Sequence, residues 1–193
     1  MKLPALLLMT LGLSLPAGAQ TELRPADAAR LNNFDTAAGK GLLQALSAGA
    51  PGDVAALATA LSGTPLVAFD ETLAGDWNCR TIKLGGITPL TVYSNFRCRM
   101  TLRLDGFEFE KLTGSQRTRG LITFREGRAV YVGVGHVADA TPMDYADLPP
   151  DFRSDGRVQT DVAVFERISA SHARLMFPSP ANESHFDILD LTR

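Results

Sequence analysis

Cysteine is nearly absent: the 193 residues hold two, Cys79 and Cys98. Two cysteines rule out a four-cysteine zinc site and a small fold stapled by several bridges. Histidine is almost as scarce. His136, His172 and His185 stand far apart, no pair has metal-ligand spacing, and no His-Glu-x-x-His occurs. The Gly-x-Ser-x-Gly elbow and the Gly-x4-Gly-Lys-Ser/Thr phosphate loop are missing too. So is a basic excess. A formal net charge of −2 does not suit a nucleic-acid or anionic-membrane binder. No later stretch approaches the roughly 20 apolar residues of a spanning helix. No metal or other cofactor is implied.

What is present begins with an address. Met1-Lys2 precedes an apolar run from Leu3 to Leu15, and Ala17-Gly18-Ala19 closes it. A positive start, a short apolar segment and small residues at −3 and −1 predict a secretory signal peptide over 1–19, cleaved after Ala19. Without Lys2 the mature chain carries 18 basic and 21 acidic residues. Its expected location is periplasmic or secreted, where two cysteines form one disulfide.

Residues 20–63 read as a helical N-terminal segment. Pro25 suits a first helical turn, and Leu31, Phe34, Leu42, Ala45 and Leu46 recur at mainly helical spacing. Gly39 and Gly41 weaken that helix. Asp53 is expected to cap a second one, with Gly63 as its stop. From 64 to 193 the pattern becomes that of strands, expected at about 76–84, 90–104, 107–113, 119–126, 128–137, 158–168, 172–178 and 185–192. Gly85-Gly86, Asp105-Gly106 and Glu126-Gly127 mark short hairpin turns. The fold class is mainly β with N-terminal helices: an eight-stranded antiparallel meander, closed or partly closed as a lipocalin-like β-barrel, with the helices packed on it. One long acidic loop, 138–157, is either a surface excursion or a lid.

Placing Cys79 directly opposite Cys98 gives a working register. Trp77 then opposes Met100, Thr81 opposes Phe96, and Trp77, Cys79, Phe96, Cys98, Met100 and Leu102 share a core face. The next hairpin sets Leu102 opposite Phe109. Arg80 falls opposite Arg97 on the outer face, an arrangement that is unfavourable unless something lies between them. A solvated basic face, a bound anion, or neutralisation by the acidic loop each answers this. The last fits the charge distribution: ten basic and four acidic residues from Cys79 to Arg128, then seven acidic and two basic from Val137 to Glu166.

The turn from Lys111 to Arg117 is the best candidate site. By parity Lys111 points inward, opposite Met100 and near Trp77, where it needs a carboxylate, a carbonyl or a ligand, or loses its charge. Thr113, Ser115 and Gln116 offer hydrogen bonds at the rim. The candidate ligand-binding set is thus Lys111, Thr113, Ser115, Gln116, Arg117, Arg80, Arg97 and Trp77, although parity puts the arginines on the opposite face from Lys111. His185 and Asp187 share a strand face and form a conceivable acid–base pair.

Gly75-Asp76-Trp77 and the late Arg193 are similar to the Gly-x-Trp and Arg of lipocalin-type barrels. That resemblance implies an arginine packed on the tryptophan at a closed barrel end. GDWNCRTIKLGG (75–86), FRCRM (96–100), FEKLTGSQRTRG (109–120), VAVFERI (162–168) and FDILDL (186–191) resemble an uncharacterised family of exported bacterial proteins, a domain of unknown function. It implies one exported domain and no particular activity. The expected function is a non-enzymatic binding domain for a small molecule or a cell-envelope protein. An inhibitor of an exported hydrolase and an enzyme using Lys111 or His185/Asp187 are the alternatives. A small-molecule binder of lipocalin type requires an apolar cavity lined by Trp77, Met100 and Phe109. An enzyme requires a pocket joining Lys111 or His185 to other polar groups.

Overall fold

The computed structural model describes residues 21–67 and 69–193, so the expected signal peptide lies outside the described residues. Three helices precede eight strands: α1 (Pro25–Asn32), α2 (Phe34–Ala48), α3 (Pro51–Leu61), β1 (Gly75–Leu84), β2 (Leu90–Arg103), β3 (Gly106–Lys111), β4 (Gln116–Arg125), β5 (Arg128–Val137), β6 (Val158–Arg167), β7 (His172–Pro178) and β8 (Phe186–Thr192). Each strand pairs antiparallel with the next, and β8 closes on β1. Closure leaves no unpaired sheet edge. All eight expected strands form, and the barrel is fully closed.

Alternation along the strands builds two cores. Inward positions fill the barrel with Trp77, Met100, Phe107, Phe109, Tyr131, Leu175 and Leu191 around the cystine. Outward positions on β5, β6 and β8 supply Val130, Val132, Val162, Val164 and Ile188, over which the helices lay Leu31, Ala45, Leu57 and Ala60. Helix α1 lies on β6, α2 on the seam strands β1 and β8 with β7, and α3 on β2. The expected helical stripe is only partly right. Leu46 is exposed, Asn33 divides the first helix into two, and Ala50 rather than Asp53 caps α3.

The disulfide is present, with a Cα–Cα distance of 5.8 Å, but its register differs from expectation. Cys79 faces Phe96 and Cys98 faces Trp77, so the bond runs diagonally. The β1–β2 ladder ends at Leu84 opposite Leu90 and shifts at a bulge beside Thr81. A two-residue offset preserves which face each side chain takes. The β2–β3 hairpin moves by two as well. Leu102 faces Phe107, Met100 faces Phe109, and Lys111 faces Cys98 rather than Met100. Here the turn residues are Leu104 and Asp105, because Gly106 already belongs to β3. A Cβ on Gly106 would lie 2.1 Å from the Ile122 carbonyl, so its lack of a side chain is what lets β3 begin against β4. Leu102 has the expected parity yet is half exposed, since it lies near that open turn.

One barrel end is plugged. Phe69 meets Phe107, Phe124 and Phe165 edge-on, with centroids 4.9, 5.2 and 5.9 Å away. Beside it the Arg193 guanidinium lies 4.1 Å over the Trp77 ring, and Trp77 Nε1 donates to the Leu73 carbonyl at 2.9 Å. The lipocalin-like contact therefore exists.

The long segment 138–157 is tied down at its centre. The Arg24 guanidinium donates to the carbonyls of Leu148, Pro149 and Pro150 at 2.6, 2.8 and 3.2 Å. Tyr145 donates its hydroxyl to buried Asp27 at 2.6 Å, and Asp27 also accepts from Arg30 and Thr160. This segment is a strap anchored to α1, and its own Tyr145 and Leu148 are buried.

Candidate functional site

Beyond its apolar filling, the inner face of the barrel becomes polar. Thr81 and Lys83 come from β1, Lys111 from β3, Thr118 from β4, Asp161 from β6 and Asp187 from β8; all line one cleft of about 80 Å³. An adjoining recess of about 130 Å³ shares Thr81, Lys83, Lys111 and Gln116 and adds Tyr93, Phe96, Ser115 and Glu183. Lys83 and Asp187 are cross-strand partners at the β1–β8 seam. Closing the barrel is what brings them together.

A hydrogen-bonded layer floors the cleft. The Tyr131 and Thr118 hydroxyls lie 2.7 Å apart, and Thr118 donates to Asp161 Oδ2 at 2.8 Å. Gln159 Nε2 donates to Asp161 Oδ1 at 3.3 Å. Room for this layer comes from glycines on the inner wall. A Cβ on Gly133 would lie 2.3 Å from the Tyr131 hydroxyl oxygen, and one on Gly135 would lie 2.5 Å from Asp161 Oδ2. Below, Tyr131 packs edge-on against Phe109 and Phe177.

Burial governs the electrostatics. It draws the Lys111 ammonium down to about 8, helped by the nearby charges of Lys83 and Arg117. The same effect lifts Asp187 to about 7 despite a 2.6 Å hydrogen bond from Ser184. Asp161 is raised and Tyr131 is driven well up, again by burial first. Lys83 runs the other way: its pairing with Glu183 at 2.6 Å and the charge of Asp187 outweigh burial and raise it. Among the described residues, Lys111, Asp161 and Asp187 take part in no ion pair. Lys111 instead donates to the Gln116 carbonyl at 2.5 Å and lies 4.0 Å over the Phe96 ring. No group of residues suited to a metal ion occurs among the described residues.

Lys111, Ser115, Gln116 and Arg117 of the expected set meet at this mouth. Thr113 ties its turn to β2, accepting from the Arg97 N–H at 2.9 Å. Trp77 lies at the closed end, where it shares a shallow recess with Arg97 and Arg193. Arg80 does not oppose Arg97. It faces Asn95, and Arg97 faces Asn78. The counter-charge for Arg80 is Asp190 on β8 at 3.0 Å, which also holds His172 Nε2 at 3.0 Å. The acidic loop neutralises neither of these arginines; it reaches Arg119 instead, Asp144 lying 3.8 Å away. The expected His185–Asp187 pairing is replaced by Ser184–Asp187. Trp77, Met100 and Phe109 enclose packed side chains rather than a ligand chamber.

Lys83, Thr118 and Asp161 were not singled out from the sequence, and Asp187 entered only beside His185. Their signal was parity. Lys83 follows Trp77 and Cys79 by even steps, Asp161 leads Ala163 and Phe165, and Asp187 leads Leu189 and Leu191. An ionisable residue on a core-facing parity marks the place where the core ends.

Among the described residues no helix is long and apolar enough to cross a membrane. No curated protein matches the chain. Residues 20–191 match the family model described as "Domain of unknown function (DUF4893)", and the chain belongs to that family.

Proposed function

We propose that this protein is an exported binding domain whose ligand is a small polar molecule, or a polar end group, held in the open barrel mouth. The observation that carries this reading is the convergence of three ionisable groups, the buried Lys111 and Asp161 and the half-buried Asp187, on one solvent-open cleft without a direct ion pair. Unpaired buried charges are unfavourable and cluster at functional sites. The matching ligand presents an acceptor or anionic group to Lys111 and Lys83 and a donor or cationic group to the aspartates. The small volume and polar walls disfavour a lipophilic ligand.

The test is a thermal-shift and NMR titration with the twenty amino acids and their amidated and acetylated forms. Binding that disappears in both Lys111→Met and Asp187→Asn, with the fold retained, supports the reading. Binding that survives both substitutions overturns it. A second reading, acid–base catalysis, is favoured by one observation: Lys111 at about 8 and Asp187 at about 7 are both drawn toward neutrality. Such groups can exchange a proton near physiological pH. Turnover of a ligand found in the titration, lost in either variant, distinguishes the two.

A further inference from the structure

A larger cleft, about 510 Å³, lies outside the barrel between the outer wall of β4 and the strap. Arg119, Leu121, Thr123 and Arg125 are successive outward positions of β4, and the strap roofs them with Asp144, Tyr145 and Ala146. Its volume falls in the range of small-molecule sites, about 300–1,000 Å³.

The charges on its wall are not equivalent. Glu108 is buried and shared between Arg103 and Arg119, the latter at 2.6 Å, so it satisfies both. Arg125 has no such partner. Among the described residues it makes no ion pair, and its Nη2 donates to the Thr21 carbonyl at 2.7 Å. Its Nε has no hydrogen-bond partner, nor has Oγ1 of Thr123, a residue only 5% exposed. A buried polar group left without a partner is unfavourable. Two of them, side by side on one wall, point to an acceptor. The rest of the lining is apolar: Leu104, wholly exposed at its turn, with Leu121, Val132 and the Tyr145 ring. Asp105 and Asp144 stand at the rim as exposed carboxylates and oppose multiply charged ligands.

We propose that this cleft is a second binding site, for a singly charged anionic amphiphile. The carboxylate or phosphate head accepts hydrogen bonds from Arg125 and Thr123, and the apolar body lies over Leu104, Leu121 and Val132. The proposal requires a side-chain rotation at Thr123, whose hydroxyl oxygen is otherwise closed off from the cleft, to turn that hydroxyl toward the head group. This site is independent of the barrel mouth, because no residue is common to the two linings.

Calorimetric titration of the whole chain with decanoate, decyl methyl phosphate, decanol and inorganic phosphate tests it. Decanoate or decyl methyl phosphate should bind. Decanol and inorganic phosphate should bind at least about tenfold more weakly, a difference of about 1.4 kcal/mol. Whichever decyl anion binds more tightly tells a fatty carboxylate from a lipid phosphate. Arg125→Gln and the near-isosteric Thr123→Val should each weaken that binding about fivefold or more, while Lys111→Met leaves it unchanged. Thr123→Val removes no contact seen in the fold, so its loss of binding cannot be put down to unfolding if the melting temperature is kept. The proposal is overturned if neither anion binds, if decanol binds as well, or if both cleft substitutions leave affinity intact.

Discussion

Two glycines of α2, read from the sequence as equal weak points, should respond oppositely to alanine. At Gly39 a Cβ would meet nothing within 4 Å, and the position is exposed. Gly39→Ala should gain the helix-propensity difference, about 0.5–1 kcal/mol. At Gly41 the same Cβ would lie 3.0 Å from Phe186 Cβ, 3.1 Å from Leu84 Cβ and 3.2 Å from the Leu84 carbonyl oxygen. Carbon contacts are most favourable at about 3.5–4.0 Å. Leu84 and Phe186 are paired residues of the closing β1–β8 ladder and cannot easily retreat. Overpacking of this kind costs about 1–3 kcal/mol, so Gly41→Ala should range from neutral to about 2.5 kcal/mol destabilising. Because both residues lie in one helix, propensity cancels and the two variants should differ by about 1–3 kcal/mol. Urea denaturation of the pair measures that difference directly. The next rung holds Lys83 and Asp187, so Gly41→Ala should also move the NMR signals of the barrel mouth. Equal stabilisation by both variants would refute the close packing of α2 on the seam.

Three further outcomes are expected. Asp187 has its folded pKa raised to about 7 from 3.8, so its stabilising contribution is full below about pH 4 and is lost as pH rises through 7; Asp187→Asn should therefore melt higher than wild type at pH 8 but not at pH 4, and an equal difference at both would sink the assignment. Cys79 and Cys98 should be unreactive to thiol reagents in the native oxidised protein, and the double Cys→Ala variant should lose about 3 kcal/mol, roughly 6–12 °C of melting temperature; an unchanged midpoint in the double variant would contradict this. Arg193→Ala removes the cation over Trp77 and hydrogen bonds to the Ala74 and Ala170 carbonyls, both at 3.0 Å, and should cost about 1–3 kcal/mol. As Trp77 is the sole tryptophan, its emission should shift with that substitution, and an unaltered spectrum would count against the stacking.

Parity was readable from the sequence and register was not. Side chains alternate with period two, so Trp77, Cys79, Cys98, Met100, Phe107 and Phe109 all took the core face although both hairpins are offset by two residues. The offsets come from a disulfide that joins residues lying diagonally across the ladder and from a turn at Leu104-Asp105 that packs Gly106 on Ile122, which no hairpin rule sees. The same limit hid the partner of Arg80. Three aligned strands leave it opposite another arginine, whereas Asp190 reaches it only because β8 returns to β1. Lys111 was found as an inward lysine. Asp161 and Asp187 lay on equally legible parities, but their meeting with Lys111 depends on closure and stagger, which are properties of the whole barrel.

The floor of Tyr131, Thr118 and Asp161 has one more consequence. It rests on gaps left by Gly133 and Gly135, so the depth of the mouth is set within the strands and not by movable loops. Whatever enters is stopped after its first few atoms, and the remainder stays outside. On the proposed binding reading, the barrel would take only the tip of a molecule, such as the end of a chain or a tethered group, and leave the body to other surfaces.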